Sequence, residues 1–299
     1  MKAKVYFSKE ITPEKVVEMY RLLGVELPGK VAVKLHSGEK GNQNFLRPDF
    51  WKPMIDCVNG TVVECNTAYG ARFGGVRDYT EQHRQLIEYH GWSKHFTVDL
   101  MDAEGPDLIW PIPDGKVLKE NHVGKNIANY DSMLVLSHFK GHPKGGYGGA
   151  LKQLSIGCAS REGKALIHSG GVTESNIETW DKHAEKDVFC EAMADAASSV
   201  VRHFEGKIAF INVMKNLSVD CDCVGGGEAE DPCMKDIGIL VSLDPVAVDQ
   251  ACIDKIYAAK DDPGQQHFLE RVESRHGVHT IEAAAELGFG SREYELIEV

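Results

Sequence analysis

The sequence predicts an α/β protein built on a largely parallel or mixed sheet flanked by helices, and three observations carry that prediction. Short strand-like runs alternate with stretches of helical spacing from the N-terminus onward. The run Met133-Leu134-Val135-Leu136 is apolar throughout, as expected of a strand covered on both faces. A strand-like stretch from Ile237 to Val241 is followed by Asp244-Pro245, a strong helix-start signal.

Taken in order, residues 3–8 alternate as a strand does through Val5 and Phe7. Thr12 and Pro13 open a helix carrying Val16, Val17, Tyr20 and Leu23, and Gly24 closes it before the strand Val31-Ala32-Val33. Helices are expected near residues 48–58 and through 77–90, with strands at Thr61-Val62-Val63 and around Phe96-Thr97-Val98. The strand at Met133–Leu136 delivers His138, Lys140 and His142 at its C-terminal end, where open α/β sheets bind ligands. Phe189, Met193, Ala196 and Val200 have helical spacing, and Ile208 to Val213 is strand-like. In the next helix Asp244 caps, Pro245 suits the first turn, and Val248, Cys252 and Ile256 form the apolar stripe. Ser169 to Lys186 opens with Gly170-Gly171 and has weak periodicity, so an exposed connection or cover is expected. No repeat or low-complexity linker divides the chain, so one α/β unit over 1–299 is expected, with two intimately packed lobes as the alternative.

Composition narrows the function. The eight cysteines are scattered and the start does not read as a signal peptide, so free thiols in a reducing, cytoplasmic setting are expected. No apolar run approaches the roughly 20 residues that cross a bilayer. The net charge of -12 argues against nucleic acid and anionic membranes as partners, because both need a basic face.

The most distinctive segment is Asp220-Cys221-Asp222-Cys223, followed by Gly225-Gly226-Gly227 and then Cys233. Two thiols one residue apart can ligate one metal ion or neighbouring irons, and the glycines let the backbone fold closely around them. A further ligand must come from Cys233, a histidine, an acid or a small molecule. Cys252 falls on an apolar stripe, while Cys57, Cys65, Cys158 and Cys190 lack paired spacing and read as structural.

Between Ser137 and Lys152 five glycines accompany Lys140, Lys144 and Lys152. Backbone amides around Gly145 and Gly146, with those ammonium groups, suit an anion such as phosphate or carboxylate, and His138 and His142 offer proton carriers. Neither the Walker order of residues nor the dinucleotide glycine signature is present. Lys34 and His36 share one face at the end of their strand and can reach the same pocket. After the strand at Thr61–Val63, Arg72 suits a bidentate grip on an anion and Tyr69 suits proton or hydrogen-bond donation. His83 and His90 read as surface or capping residues, Lys164 as solvent-facing, and His168 as the better site candidate.

Together these motifs resemble domain-of-unknown-function family 362, whose members are often described as uncharacterised iron-sulfur-centre proteins. The resemblance rests on Lys34-Leu35-His36-Ser37-Gly38-Glu39, Asn66-Thr67-Ala68-Tyr69-Gly70 with Arg72, the stretch from His138 through Lys164 to His168, Asp220-Cys221-Asp222-Cys223, and Asp236-Ile237-Gly238 through Asp244-Pro245-Val246-Ala247-Val248-Asp249. Longer relatives carry a ferredoxin-like cassette of repeated Cys-X2-Cys-X2-Cys runs; here there is none, and Gln153 stands where asparagine often follows the lysine.

The combined expectation is a metal- or iron-sulfur-dependent redox enzyme acting on a small anionic substrate or cofactor. Cys221, Cys223, Cys233 and His168 are the candidate ligands of an iron-sulfur cluster or single transition metal. Lys34, Arg72, Lys144, Lys152, Gly145 and Gly146 are the candidate anion or cofactor binders, and His36, His138, His142, Lys140 and Tyr69 the candidate catalytic groups. An electron-transfer protein would be its partner, and a noncatalytic metal carrier or sensor is the alternative.

Overall fold

A computed structural model describes residues 2–68, 75–105 and 107–299. The chain runs β1 (Ala3–Ser8), α1 (Pro13–Arg21), β2 (Val31–Lys34), α2 (Pro48–Cys57), β3 (Thr61–Glu64), α3 (Thr80–Tyr89) and β4 (Val98–Leu100). It continues through β5 (Leu108–Pro111), β6 (Glu120–Val123), β7 (Ser132–His138), β8 (Lys140–His142), β9 (Gly146–Gly148), α4 (Ala150–Cys158), α5 (Arg161–His168) and α6 (Lys186–His203). Last come β10 (Ile208–Met214), β11 (Gly238–Ser242), α7 (Pro245–Ala258), α8 (Gln265–Ser274), α9 (Val278–Glu286) and β12 (Tyr294–Glu298).

Eight strands form the main sheet in the order β12-β1-β11-β10-β7-β2-β3-β4. Only β11 runs against its two neighbours; every other pairing is parallel. The fold is therefore α/β with a mixed, mostly parallel sheet. Alternate residues of β7 serve opposite layers: Met133 and Val135 pack with Leu151, Leu154 and Val248, whereas Leu134 and Leu136 join Trp51, Met54 and Val16. This two-sided burial is why the strand shows no polar alternation.

Helix starts follow local chemistry. Thr12 accepts a hydrogen bond from the Lys15 amide at the head of α1, and Asp244 Oδ1 accepts from the Val246 and Ala247 amides at the head of α7. The helix expected from residue 77 begins at Thr80 instead: residues 77–79 turn, with the Arg77 carbonyl accepting from the Thr67 amide, and Tyr79 is extended at the N-cap. The glycine-rich run after β7 forms the β8–β9 hairpin rather than an open anion-binding loop. Two small sheets, β5–β6 and β8–β9, stand apart from the main one. Among the described residues no helix is long and apolar enough to cross a membrane.

Because β2, β3, β7 and β10 are parallel, their C-terminal ends share one edge of the sheet. The segments leaving that edge supply the chemistry-bearing residues.

Candidate metal and anion site

Beyond β10 the chain turns back over the sheet edge, and a bond from the Val224 amide to the Cys221 carbonyl, 2.9 Å, closes a tight turn. Gly141 permits this: a Cβ there would stand 2.3 Å from the Val219 carbonyl oxygen, so only glycine lets the turn lie on β8. The turn brings the sulfurs of Cys221 and Cys223 and a ring nitrogen of His142 within 4.8 Å of one another. Asp222, between the two cysteines, points the other way, accepting from Lys140 Nζ at 2.6 Å and from His138 Nδ1 at 2.8 Å. Burial would raise its pKa, but the His138 and Lys140 charges outweigh that and hold the carboxyl well below the usual range.

The sulfurs differ. Burial pushes the Cys221 thiol up, yet a hydrogen bond from Cys223 and the Lys152 and Lys140 ammonium groups bring it well below the ordinary thiol value. Lys152 Nζ lies 3.4 Å from Cys221 Sγ. Cys223, sharing its proton with Cys221 and buried beside it, is raised. The pair is thus one thiolate hydrogen-bonded to one thiol.

A cavity of about 40 Å³ adjoins the pair, lined among others by Lys34, His36, Glu64, Arg77, His142, Lys152, Lys164, His168 and Cys223. Since a water needs about 10–15 Å³ of such space, it has room for an ion with a few waters or a small molecule. The Thr67 hydroxyl, which also lines it, has no hydrogen-bond partner among the described residues. Glu64 at the end of β3 binds Lys34 Nζ at 2.7 Å and Arg77 Nη2 at 2.9 Å. Burial opposes its charge, but Lys34 and Arg77 prevail and hold it ionised. Among the residues lining the cavity the cations Lys34, Arg77, Lys152 and Lys164 face the Glu64 carboxylate, with the Cys221 thiolate beside it, four against two, which favours an anionic ligand.

Two cavity histidines are neutral in opposite tautomers. His142 Nδ1 accepts from the Gly145 amide at 2.8 Å and the Lys144 amide at 3.2 Å, which leaves its proton on Nε2. His168 Nδ1 lies 2.7 Å from the Lys164 carbonyl and must donate to it, so Nε2 keeps its lone pair. Burial lowers both pKa values, that of His168 to about 3. Phe189 of α6, with ring centroid 4.9 Å away, and Trp180, in the segment after Ser169, at 5.7 Å, pack around His168.

A family model described as "Domain of unknown function (DUF362)" matches residues 31–254, a stretch that contains the C-terminal ends of β2, β3, β7 and β10. The chain belongs to this family. No curated protein matches it. Among solved structures it is similar to the lactate racemase apoprotein from Thermoanaerobacterium thermosaccharolyticum, at 15% identity over 70% of this chain and 50% of that one, with a TM-score of 0.39. It is also similar to a Thermotoga maritima protein, at 11% identity over 92% of this chain and 59% of that one, with a TM-score of 0.40. The chain thus spans about half the length of the racemase and about three fifths of the second.

Within this DUF362 chain the sequence-expected residues divide by position. Lys34, His36, His142, Lys152, His168 and Cys223 line the cavity, with Cys221 beside Cys223. His138 is held away from it, its Nε2 2.6 Å from the Lys215 carbonyl and its Nδ1 on Asp222. Lys140 likewise serves Asp222. Lys144 is exposed, its Nζ 6.0 Å from the Trp180 ring centroid. Gly145 and Gly146 pack on neighbouring helices: Gly146 has φ +78, and a Cβ there would meet Gly277 Cα at 2.8 Å. Cys233 stands outside the sulfur group, its thiol 3.4 Å from the Leu217 carbonyl. Tyr69 and Arg72 lie outside the described residues.

Two surface assignments are corrected. Lys164 is buried, donating to the Ala159 carbonyl at 2.5 Å, because α5 turns that face toward the cavity. His83 is fully buried, with Nε2 accepting from Arg77 Nε at 3.1 Å and Nδ1 3.1 Å from Asn66 Oδ1. Sequence reasoning missed Glu64 and Arg77 in this DUF362 site. The one available signal was Glu64 at a strand's last position, since an acid ending an apolar strand must find a cation when buried. A second group, Glu120, His122 and Glu174, clusters at the surface with both acids exposed.

Proposed function

We propose that this chain is a metal-dependent redox enzyme acting on a small anion, with Cys221 and Cys223 as thiolate ligands of a single transition-metal ion. The observation that carries the reading is the convergence of two sulfurs and a histidine nitrogen within 4.8 Å at a buried cavity with excess positive charge.

The donor set fits one soft ion better than a cluster. Clusters of four irons ordinarily take four cysteines, whereas this group offers two sulfurs and Cys233 is remote from it. Soft thiolates select copper(I), zinc or iron, and an incomplete protein shell leaves a position for substrate. Such an ion would supply electron transfer or polarise a bound oxygen.

The chain's own residues have separate roles in this reading. Lys152 and Lys164 attract the anionic group of the substrate. His168 accepts a proton at Nε2, the lone pair that its Lys164 contact leaves free. His142 donates from Nε2, and it ligates the ion only by giving up that proton. Asp222, held by His138 and Lys140, keeps the two sulfurs on one side of the turn. Burial of Cys221 disfavours the carrier alternative, because passing an ion to a partner needs accessible sulfurs.

The test is anaerobic purification followed by metal analysis and an optical spectrum. Cys221→Ser and Cys223→Ser are each expected to lose most of the bound metal while keeping the wild-type circular dichroism. Unchanged metal content in both variants, or a wild-type chain that stays metal-free when reconstituted without oxygen, would remove the assignment.

A further inference from the structure

We infer that Cys221 and Cys223 form a reversible disulfide when a small peroxide enters the adjoining cavity. The inference deepens the proposed function, since it concerns the same two sulfurs, but it requires no bound ion.

Geometry carries it. The two sulfurs lie within 4.8 Å of each other and share a hydrogen bond, which already makes them neighbours that a bond of roughly 2.04 Å can join. The turn closed by the Val224 amide folds the two residues together. Cys223 lines the cavity and is partly exposed, whereas Cys221 is fully buried. The first oxidation therefore falls on Cys223 and the resolving role on Cys221. A cavity of about 40 Å³ admits a two-oxygen molecule such as hydrogen peroxide. Lys152 Nζ, 3.4 Å from Cys221 Sγ, donates to the resolving sulfur.

The chemistry balances. Cys223 passes its proton to the Cys221 thiolate across the shared hydrogen bond, and the resulting Cys223 thiolate attacks one peroxide oxygen. The O–O bond breaks, leaving a sulfenic acid on Cys223 and releasing hydroxide. That hydroxide takes the proton from Cys221 and becomes water. The Cys221 thiolate then attacks the Cys223 sulfur, forming the S–S bond and expelling a second hydroxide. Overall the thiol–thiolate pair loses two electrons, and one peroxide becomes one water and one hydroxide.

The experiment treats the reduced, chelator-washed chain, carrying Cys57→Ser to remove the exposed thiol, with hydrogen peroxide. It is read by intact mass and peptide mapping. The expected result is a loss of about 2 Da mapped to a Cys221–Cys223 link and reversed by dithiothreitol. In Cys221→Ser the sulfenic acid should persist on Cys223 and be captured by dimedone, while in Cys223→Ser the remaining Cys221 should stay unmodified. Oxygen addition without a link, unmodified thiols, or dimedone capture on Cys221 of the Cys223→Ser variant would each overturn the inference. The outcomes separate from the metal reading: a chain that binds metal but never links its sulfurs sinks only this inference, and a metal-free chain that links them sinks only the other.

Discussion

Asp222 is buried between Lys140 and His138, and that arrangement makes it the residue on which the sulfur turn depends. Removing one partner of a buried ion pair strands the other charge, at a cost of about 3–5 kcal/mol. Lys140→Met should therefore lower the unfolding free energy by about that amount in urea titrations. It should also reduce metal content, which distinguishes it from a residue that touches only the substrate. Lys164→Met should leave metal content intact and abolish the thermal stabilisation given by small carboxylates or phosphate. A variant that keeps full anion-induced stabilisation would remove Lys164 from the anion site. The sequence displayed Cys221 and Cys223 plainly, because paired thiols beside glycines are rare. It did not display Arg77, whose bonds to Glu64 and His36 join separate strand ends.

At the scale of elements, α4 carries Lys152 into the site and is anchored from outside itself. Asp249, on α7, accepts from the Ala150 and Leu151 amides at 2.8 and 3.0 Å, from Asn212 Nδ2 at 2.7 Å and from the Tyr147 hydroxyl at 3.1 Å. It thus caps a helix to which it does not belong, satisfying amides that the first turn leaves unpaired. Asp249→Ala should cost about 2–4 kcal/mol, since buried donors left unmade cost about 1–3 kcal/mol each. It should also lower the affinity for the anion by loosening Lys152, measurable as a smaller ligand-induced shift in melting temperature. By contrast Asp244→Ala removes an ordinary cap on α7 and should cost only about 1 kcal/mol, with the anion response unchanged. The sequence announced the Asp244 cap through its neighbour Pro245. The Asp249 cap is invisible in sequence because 98 residues or more separate it from the amides it binds.

For the whole molecule, His83, His142 and His168 are buried and His36 is half-buried, and all four have lowered pKa values with desolvation the largest cause in each. A histidine kept neutral in the fold but protonated when unfolded destabilises the native state as pH falls below 6.5, and for His168 the effect runs down to about 3. Each such group contributes about 1.4 kcal/mol per pH unit inside its window. Asp249 acts in the opposite direction: burial raises it to about 6, so the native state gains a proton there before the unfolded chain does. His90, His183 and His203 are lowered as well, against a raised His279 and raised carboxyls of which Asp249 moves furthest, so the histidines prevail and the urea midpoint should drop between pH 6.5 and 5. Replacing His168 with glutamine should reduce that slope by about one proton's worth. A midpoint flat across that range would contradict the neutral, buried state of these rings.

The sequence by itself determined the α/β class, the strand ends that carry Lys34, His138 and His142, the capped start of α7, and the paired sulfurs. Each of these is local: it rests on periodicity, on a cap beside its helix or on spacing within a few residues. Only the tertiary structure decided that β1 lies between β11 and β12 rather than beside β2, that Cys233 stands apart from Cys221 and Cys223, and that Lys140 and His138 face Asp222. Those outcomes depend on which distant strands adjoin and on how buried charges pair once water is excluded, and neither is written in the order of neighbouring residues.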